Sequence, residues 1–131
     1  MNEFSNPEPI ASPEQFRRAL LEVRNQGYVN DTALAMLRAQ YNAPAHTITT
    51  TQIAKQVGLQ NHSAANMQYG AFAHRVADAL HYKTKPVESG EPHWWRTLSY
   101  GNDDGPQYED GHYGWIMRPE LVQVLETMKW V

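Results

Sequence analysis

The sequence predicts an α+β fold, mostly helical, and three observations carry that reading. Five stretches space their apolar residues as one face of a helix does. Two aromatic runs towards the end alternate with period two, and Pro- or Gly-bearing breakers separate the elements. At 131 residues the chain is one domain with a single modest core. Its 4 Trp, 7 Tyr and 3 Phe can make that core dense, although the mean hydropathy is −0.64.

Residues 1–11 carry two prolines, two acids and little periodicity, and are expected to form a flexible tail ahead of a domain spanning 12–131. Ser12 can cap the first helix, with Pro13 at its first position and Gln15 completing a capping box. Phe16, Ala19, Leu20 and Val23 then share one face, and Gly27 ends the run. Asn30 or Asp31 caps a second helix to about Gln40, expected to bury Leu34, Leu37 and Tyr41. Pro44 in "NAPAH" forbids its continuation.

"TIT" (47–49) is β-branched and long enough for one small strand. Thr49 and Gln52 form a second capping box, opening a helix over 50–57 with Ile53, Ala54 and Val57 inward and Gly58 as terminator. After a tight connection, Asn61 or Ser63 caps a long helix to about His81. Its core stripe is Ala65, Tyr69, Phe72, Ala73, Val76 and Leu80. The opposite side shows Ser63, Met67, Gly70, Ala71, His74 and Asp78, flanked by Asn66 and Arg75. "KTKPVESGEP" reads as a linker. "HWWRTLSYG" and "HYGWIMR" read as the two strands of a hairpin over about 93–118, with an acidic tip "NDDGPQYEDG". Pro119 starts a last helix, with Leu121, Val124, Leu125 and Met128 inward.

Without the first helix the order is helix, short strand, helix, longer helix, hairpin. That is the order of a winged helix-turn-helix, here with an extra N-terminal helix and a C-terminal one. Such domains commonly set the longer helix in the DNA major groove, its N-terminal residues towards base edges.

Charge distribution fits that use. The net charge is −3, yet no Asp or Glu lies between Asp31 and Asp78. Carboxylates would repel phosphates, whereas Asn and Gln pair with adenine edges and Lys and Arg neutralise phosphate. The expected DNA-facing set is Gln60, Asn61, His62, Ser63, Asn66, Met67, Gln68, His74 and Arg75. Lys55, Gln52 and the helix start at Thr50 are expected to meet the backbone. The bland alternative is a surface helix solvated by Asn and Gln in a window that lacks acids by chance.

Enzyme signatures are missing: no Gly-rich phosphate loop, no H-E-x-x-H and no nucleophile elbow. His74 and His81 lie seven residues apart, about 10 Å along a helix, too far for one metal ion. No catalytic residue, metal or cofactor is therefore expected. Zero cysteines fit a reducing cytoplasm, and neither a secretory signal nor a membrane span is read.

"MLRAQYNAP…TITTTQIAKQVG…AANMQYG…HRVADAL…WW…LSYG…GWIMRPELVQVLETMKWV" resembles, over about residues 32–131, a bacterial module that precedes the nuclease in modification-dependent restriction endonucleases of the Mcr/HNH kind. "AANMQYG" and "WIMRPEL" are its most recognisable pieces. The resemblance implies binding of double-stranded DNA, methylated or plain, in restriction or phage and mobile-element defence. It also implies a fused or partner nuclease, because the chain has no HNH pattern of its own. Winged helices of adenine-methylation-dependent endonucleases read the methyl with aromatic rings. By that likeness Trp94, Trp95, Tyr100, Tyr113 and Trp115 are the expected aromatic surface.

Two rival readings stand beside this one. Asp103, Asp104, Glu109 and Asp110 at the hairpin tip suit a protein-interaction module, or a small phage-encoded inhibitor, facing a basic partner. Gly70 and Ala71 suit the close helix packing of a homodimer.

Overall fold

A computed structural model describes residues 7–82, 93–102 and 114–131. Among them are five α-helices: α1 Pro13–Asn25, α2 Asp31–Asn42, α3 Thr50–Val57, α4 His62–Leu80 and α5 Pro119–Met128. Three short strands accompany them: β1 Thr47–Ile48, β2 Ser99–Gly101 and β3 Trp115–Met117. The architecture is α+β and mostly helical. No described helix is long and apolar enough to cross a membrane.

Local chemistry sets most helix ends. Ser12 Oγ accepts from the Gln15 amide at 3.1 Å while Gln15 Oε1 accepts from the Ser12 amide at 2.8 Å. Thr49 and Gln52 repeat the arrangement at α3. Each box satisfies two backbone donors that the first turn leaves without a partner. Asn30 and Asn61 cap α2 and α4 through Oδ1. At the other end of α3, Gly58 sits at φ +84, a left-handed conformation that glycine reaches without a Cβ penalty.

The sheet has the order β1-β3-β2 and both pairings are antiparallel. Thr47 lies opposite Ile116 and Ile48 opposite Trp115, while Ser99 faces Met117 and Gly101 faces Trp115. β1 reaches its partner β3 across roughly half the chain. Phe16, Leu20, Met36, Ile53, Tyr69, Leu98, Met117, Leu121 and Leu125 are almost fully buried and join every α-helix to the sheet.

A closed polar cycle lies inside this apolar core. The Gln40 amide donates to Ser99 Oγ at 2.8 Å and to the Trp115 carbonyl at 3.0 Å. Tyr69 donates to Gln40 Oε1 at 2.7 Å and lies 2.6 Å from Ser99 Oγ. One assignment of protons satisfies all of them, with the Ser99 hydroxyl donating to Tyr69. The cycle ties α2 and α4 to β2 and β3. Burial pushes the Tyr69 hydroxyl well above its ordinary pKa, against the smaller opposing pull of its Ser99 and Gln40 hydrogen bonds.

The structure corrects two expectations about the elements. The buried face of α2 is Ala33, Met36, Leu37 and Gln40, with Leu34 and Tyr41 only half-buried. The helix is rotated because Gln40 finds its partners inside. Tyr41 instead reaches the rim, where its hydroxyl donates to Glu126 at 2.6 Å and its ring stacks on His46. Second, residues 94–97 form a 3₁₀ helix, so the strand expected from 93 begins only at Ser99. The described part of the expected tail, residues 7–11, touches the domain at two points. Ala11 is buried, and the Glu8 carbonyl accepts from Arg118 Nη1 at 3.0 Å.

Arg118 is itself 3 % exposed and donates through Nε to the Arg96 carbonyl. Desolvation lowers its pKa, with the Arg96 charge adding to the effect and Tyr82, Glu120 and Tyr100 opposing it. The hairpin tip, including Asp103, Asp104, Glu109 and Asp110, lies outside the described residues, as does Tyr113.

Candidate nucleic-acid interface

α3 and α4 meet through the turn that Gly58 opens, and one end of α4 is left outward. Ala65, Tyr69, Phe72, Ala73 and Val76 point into the core. That orientation sends Ser63, Asn66, Met67 and Ala71 to solvent, with Gln60, Asn61, His62 and Gln68 exposed around the same end. Met67 stands out at 71 % exposure. Lys55 is exposed on the adjoining helix. Seven of the twelve residues expected to face DNA thus share one uncharged, polar end of the molecule, with Lys55, an eighth, beside it.

The remaining residues are placed differently. Thr50 is buried, so its side chain does not line the surface. Gln52 is exposed, but its carboxamide oxygen is held by the Thr49 amide in the capping box. Asn61 likewise spends its oxygen on the Ala64 amide. No hydrogen-bond partner is seen for the side chains of Lys55, Ser63, Asn66 or Gln68 among the described residues.

Further along α4 the outward residues stay exposed, but His74 and Arg75 are engaged by neighbours. His74 lies parallel to Trp94 at 3.8 Å between ring centroids, and 3.6 Å from Asp78. Its ring is thus covered on one side, while the residue itself stays exposed. Arg75 holds its guanidinium 3.8 Å from the centroid of the Tyr28 ring. Together they line an open cleft of about 440 Å³ with Glu22, Gln26, Asp78 and Ala79. Arg75 is therefore turned towards α1, beside two carboxylates, and away from the uncharged end.

The expected aromatic surface is corrected at Trp95 and Trp115. Trp95 and Trp115 are each 6 % exposed and stack on one another at 5.1 Å, with Trp115 also 4.7 Å from Tyr69. Trp94 and Tyr100 are half-buried. These rings hold the sheet against the helices, and Trp95 and Trp115 offer no open face to a base. "WIMRPEL" is accordingly a packing motif: Trp115, Met117, Arg118 and Leu121 are all buried. "AANMQYG" divides in two, with Ala65 and Tyr69 in the core and Asn66, Met67 and Gln68 outside.

Gly70 is half-buried, and a Cβ added there would meet nothing within 4 Å. Glycine is thus not required there by packing within the chain. No cluster of three or more His, Cys, Asp or Glu that could hold a metal ion occurs among the described residues. No family model matches the chain, and neither a curated protein nor a solved structure is significantly similar to it.

Proposed function

We propose that this chain is a winged-helix module that binds double-stranded DNA through the outward N-terminal half of α4. The observation that carries the reading is the end built from Gln60, Asn61, His62, Ser63, Asn66, Met67 and Gln68. It is wholly exposed, and it lies within a window free of carboxylates in a chain whose net charge is −3. A solvated helix has no need to avoid acids, whereas a face that meets phosphate does.

The order α2, β1, α3, α4, β2, β3 and a sheet with its last strand in the middle suit a helix-turn-helix followed by a wing. Asn66 and Gln68 have carboxamides able to read adenine edges, and Lys55 can neutralise a phosphate beside them. The likeness of "AANMQYG" to modules ahead of restriction nucleases accords with a DNA-targeting role in defence. A modified base and a nuclease partner follow as parts of the same proposal, which places the protein in the cytoplasm.

The test is a fluorescence-anisotropy titration with plain, adenine-methylated and cytosine-methylated duplexes at two salt concentrations. Binding that weakens with salt is expected, with Lys55→Ala lowering the salt slope by about one. Asn66→Ala is expected to weaken binding at both salts. No shift with any duplex at low salt overturns the proposal.

A further inference from the structure

Met67 is an anomaly on the face just described. Among the described residues only Tyr28, Met67 and Val131 are exposed large hydrophobics, and Met67 is by far the most open, at 71 %. Tyr28 has a partner in Arg75. Met67 lies in the middle of the outward line of α4, with Ser63 one turn before it and Gly70 and Ala71 one turn after. These short side chains leave its thioether as the tallest group there. Gly70 lowers the stability of a helix interior by about 1 kcal/mol relative to alanine, and the space around it would accept a Cβ. Neither residue is required for packing among the described residues, and together they suit close approach to something outside the chain.

We propose that Met67 makes apolar contact with a C5-methyl group on a pyrimidine in the major groove, so that α4 tells pairs carrying that methyl from pairs lacking it. The inference rests on the DNA-binding reading above and adds the chemistry of the contact. The major-groove edges of the bases are otherwise donors and acceptors, and the C5-methyl is their one apolar feature in unmodified DNA. A flexible, polarizable thioether adapts to such a group without demanding a fixed geometry. Asn66 is the neighbouring side chain on the same face. Its uncommitted carboxamide can take the N6 and N7 of an adenine, whose partner thymine carries the methyl.

The same methyl position occurs on thymine and on 5-methylcytosine. The experiment uses three random-sequence duplex pools: one made with thymine, one with uracil in its place, and one with uracil plus 5-methylcytosine. Thymine-to-uracil replacement removes the methyl and keeps every hydrogen-bonding group. The wild type is expected to bind the thymine pool about four-fold more tightly than the uracil pool, a factor equivalent to about 0.8 kcal/mol, one buried methyl-sized group. Met67→Ala should bind both pools with the affinity that the wild type shows for uracil. Lys55→Ala should weaken both equally and keep the four-fold ratio. Recovery of affinity with 5-methylcytosine means the contact takes the methyl from either base, and no recovery assigns it to thymine.

Duplex binding without thymine preference, or a preference that survives Met67→Ala, overturns this inference and leaves the DNA-binding reading intact. No binding to any pool overturns this inference, and the DNA-binding reading falls with it when the adenine-methylated duplex gives no shift either. The exposure of Met67 makes a folding defect in Met67→Ala unexpected, and circular dichroism of the variant checks it.

Discussion

Tyr69→Phe removes one oxygen from the centre of the molecule and keeps the ring. Tyr69 is 1 % exposed, so the phenyl group would retain its packing against Trp115. The loss is polar and falls on two groups. Gln40 Oε1 loses its donor at 2.7 Å, and the Ser99 hydroxyl loses the acceptor 2.6 Å away. Leaving a buried polar group without a partner costs about 1–3 kcal/mol. Two such groups, one able to rotate, put the expected destabilisation at about 2–3 kcal/mol. At roughly 4 °C per kcal/mol for a domain of this size, the melting temperature should fall by about 8–12 °C.

Urea unfolding followed by tryptophan fluorescence measures the difference, since Trp95 and Trp115 lie beside the cycle. In a double-mutant cycle, Tyr69→Phe and Ser99→Ala should couple by about 1 kcal/mol or more, because each removes the other's partner. The sign with pH is also fixed. A hydroxyl whose folded pKa is raised keeps its proton when the unfolded chain ionises near 10. Its contribution is complete below that pH and falls above it by about 1.4 kcal/mol per pH unit. Tyr69→Phe should flatten that alkaline decline. A variant within about 0.5 kcal/mol of the parent, with no coupling to Ser99, refutes the closed cycle.

Three further outcomes follow from the described geometry. Gly58→Ala places a Cβ in open space but at φ +84, so it should cost about 1 kcal/mol from backbone strain alone, read by thermal denaturation. Arg118→Met removes the bonds to the Arg96 and Glu8 carbonyls, at roughly 1.5–3 kcal/mol each. Residues 7–11 should then gain hydrogen exchange before the rest of the domain. At α1, the hydrogen bond from Arg17 holds the Glu14 carboxyl down at about 2. A depressed carboxyl stabilises above the ordinary range near 4.5 and stops doing so as pH falls through about 2, so helix content should show an acid loss that Glu14→Gln removes.

Much of the fold could be read from residue order because local chemistry enforces it. Ser12 with Gln15 and Thr49 with Gln52 announce helix starts through side chains three residues apart, and Gly58 announces a stop. The long-range features gave no such signal. Gln40 has the appearance of a solvated helix end until Tyr69 and Ser99 are brought to it from 29 and 59 residues away. Arg118 looks like a surface charge, yet its partners are carbonyls of Glu8 and Arg96 that only the tertiary fold places there.

The run "HWWRT" alternates in a way that suits a strand. Tertiary packing of Trp95 on Trp115 and of Trp94 on His74 makes it a 3₁₀ helix instead. At the candidate interface, the outward set Ser63, Asn66 and Met67 followed from helix periodicity alone. Arg75 and His74 were on the expected side of the helix, but their rings and charges are occupied by Tyr28 and Trp94. Periodicity gives direction and is silent about neighbours.

Backbone amide shifts recorded while a DNA duplex is titrated into the protein test the central claim most directly. The account predicts perturbations concentrated in residues 60–71 and at Lys55, with the buried run 115–118 and the Arg75–Tyr28 cleft little changed. Shifts confined to other surfaces, or a spectrum that DNA leaves untouched at low salt, would contradict it.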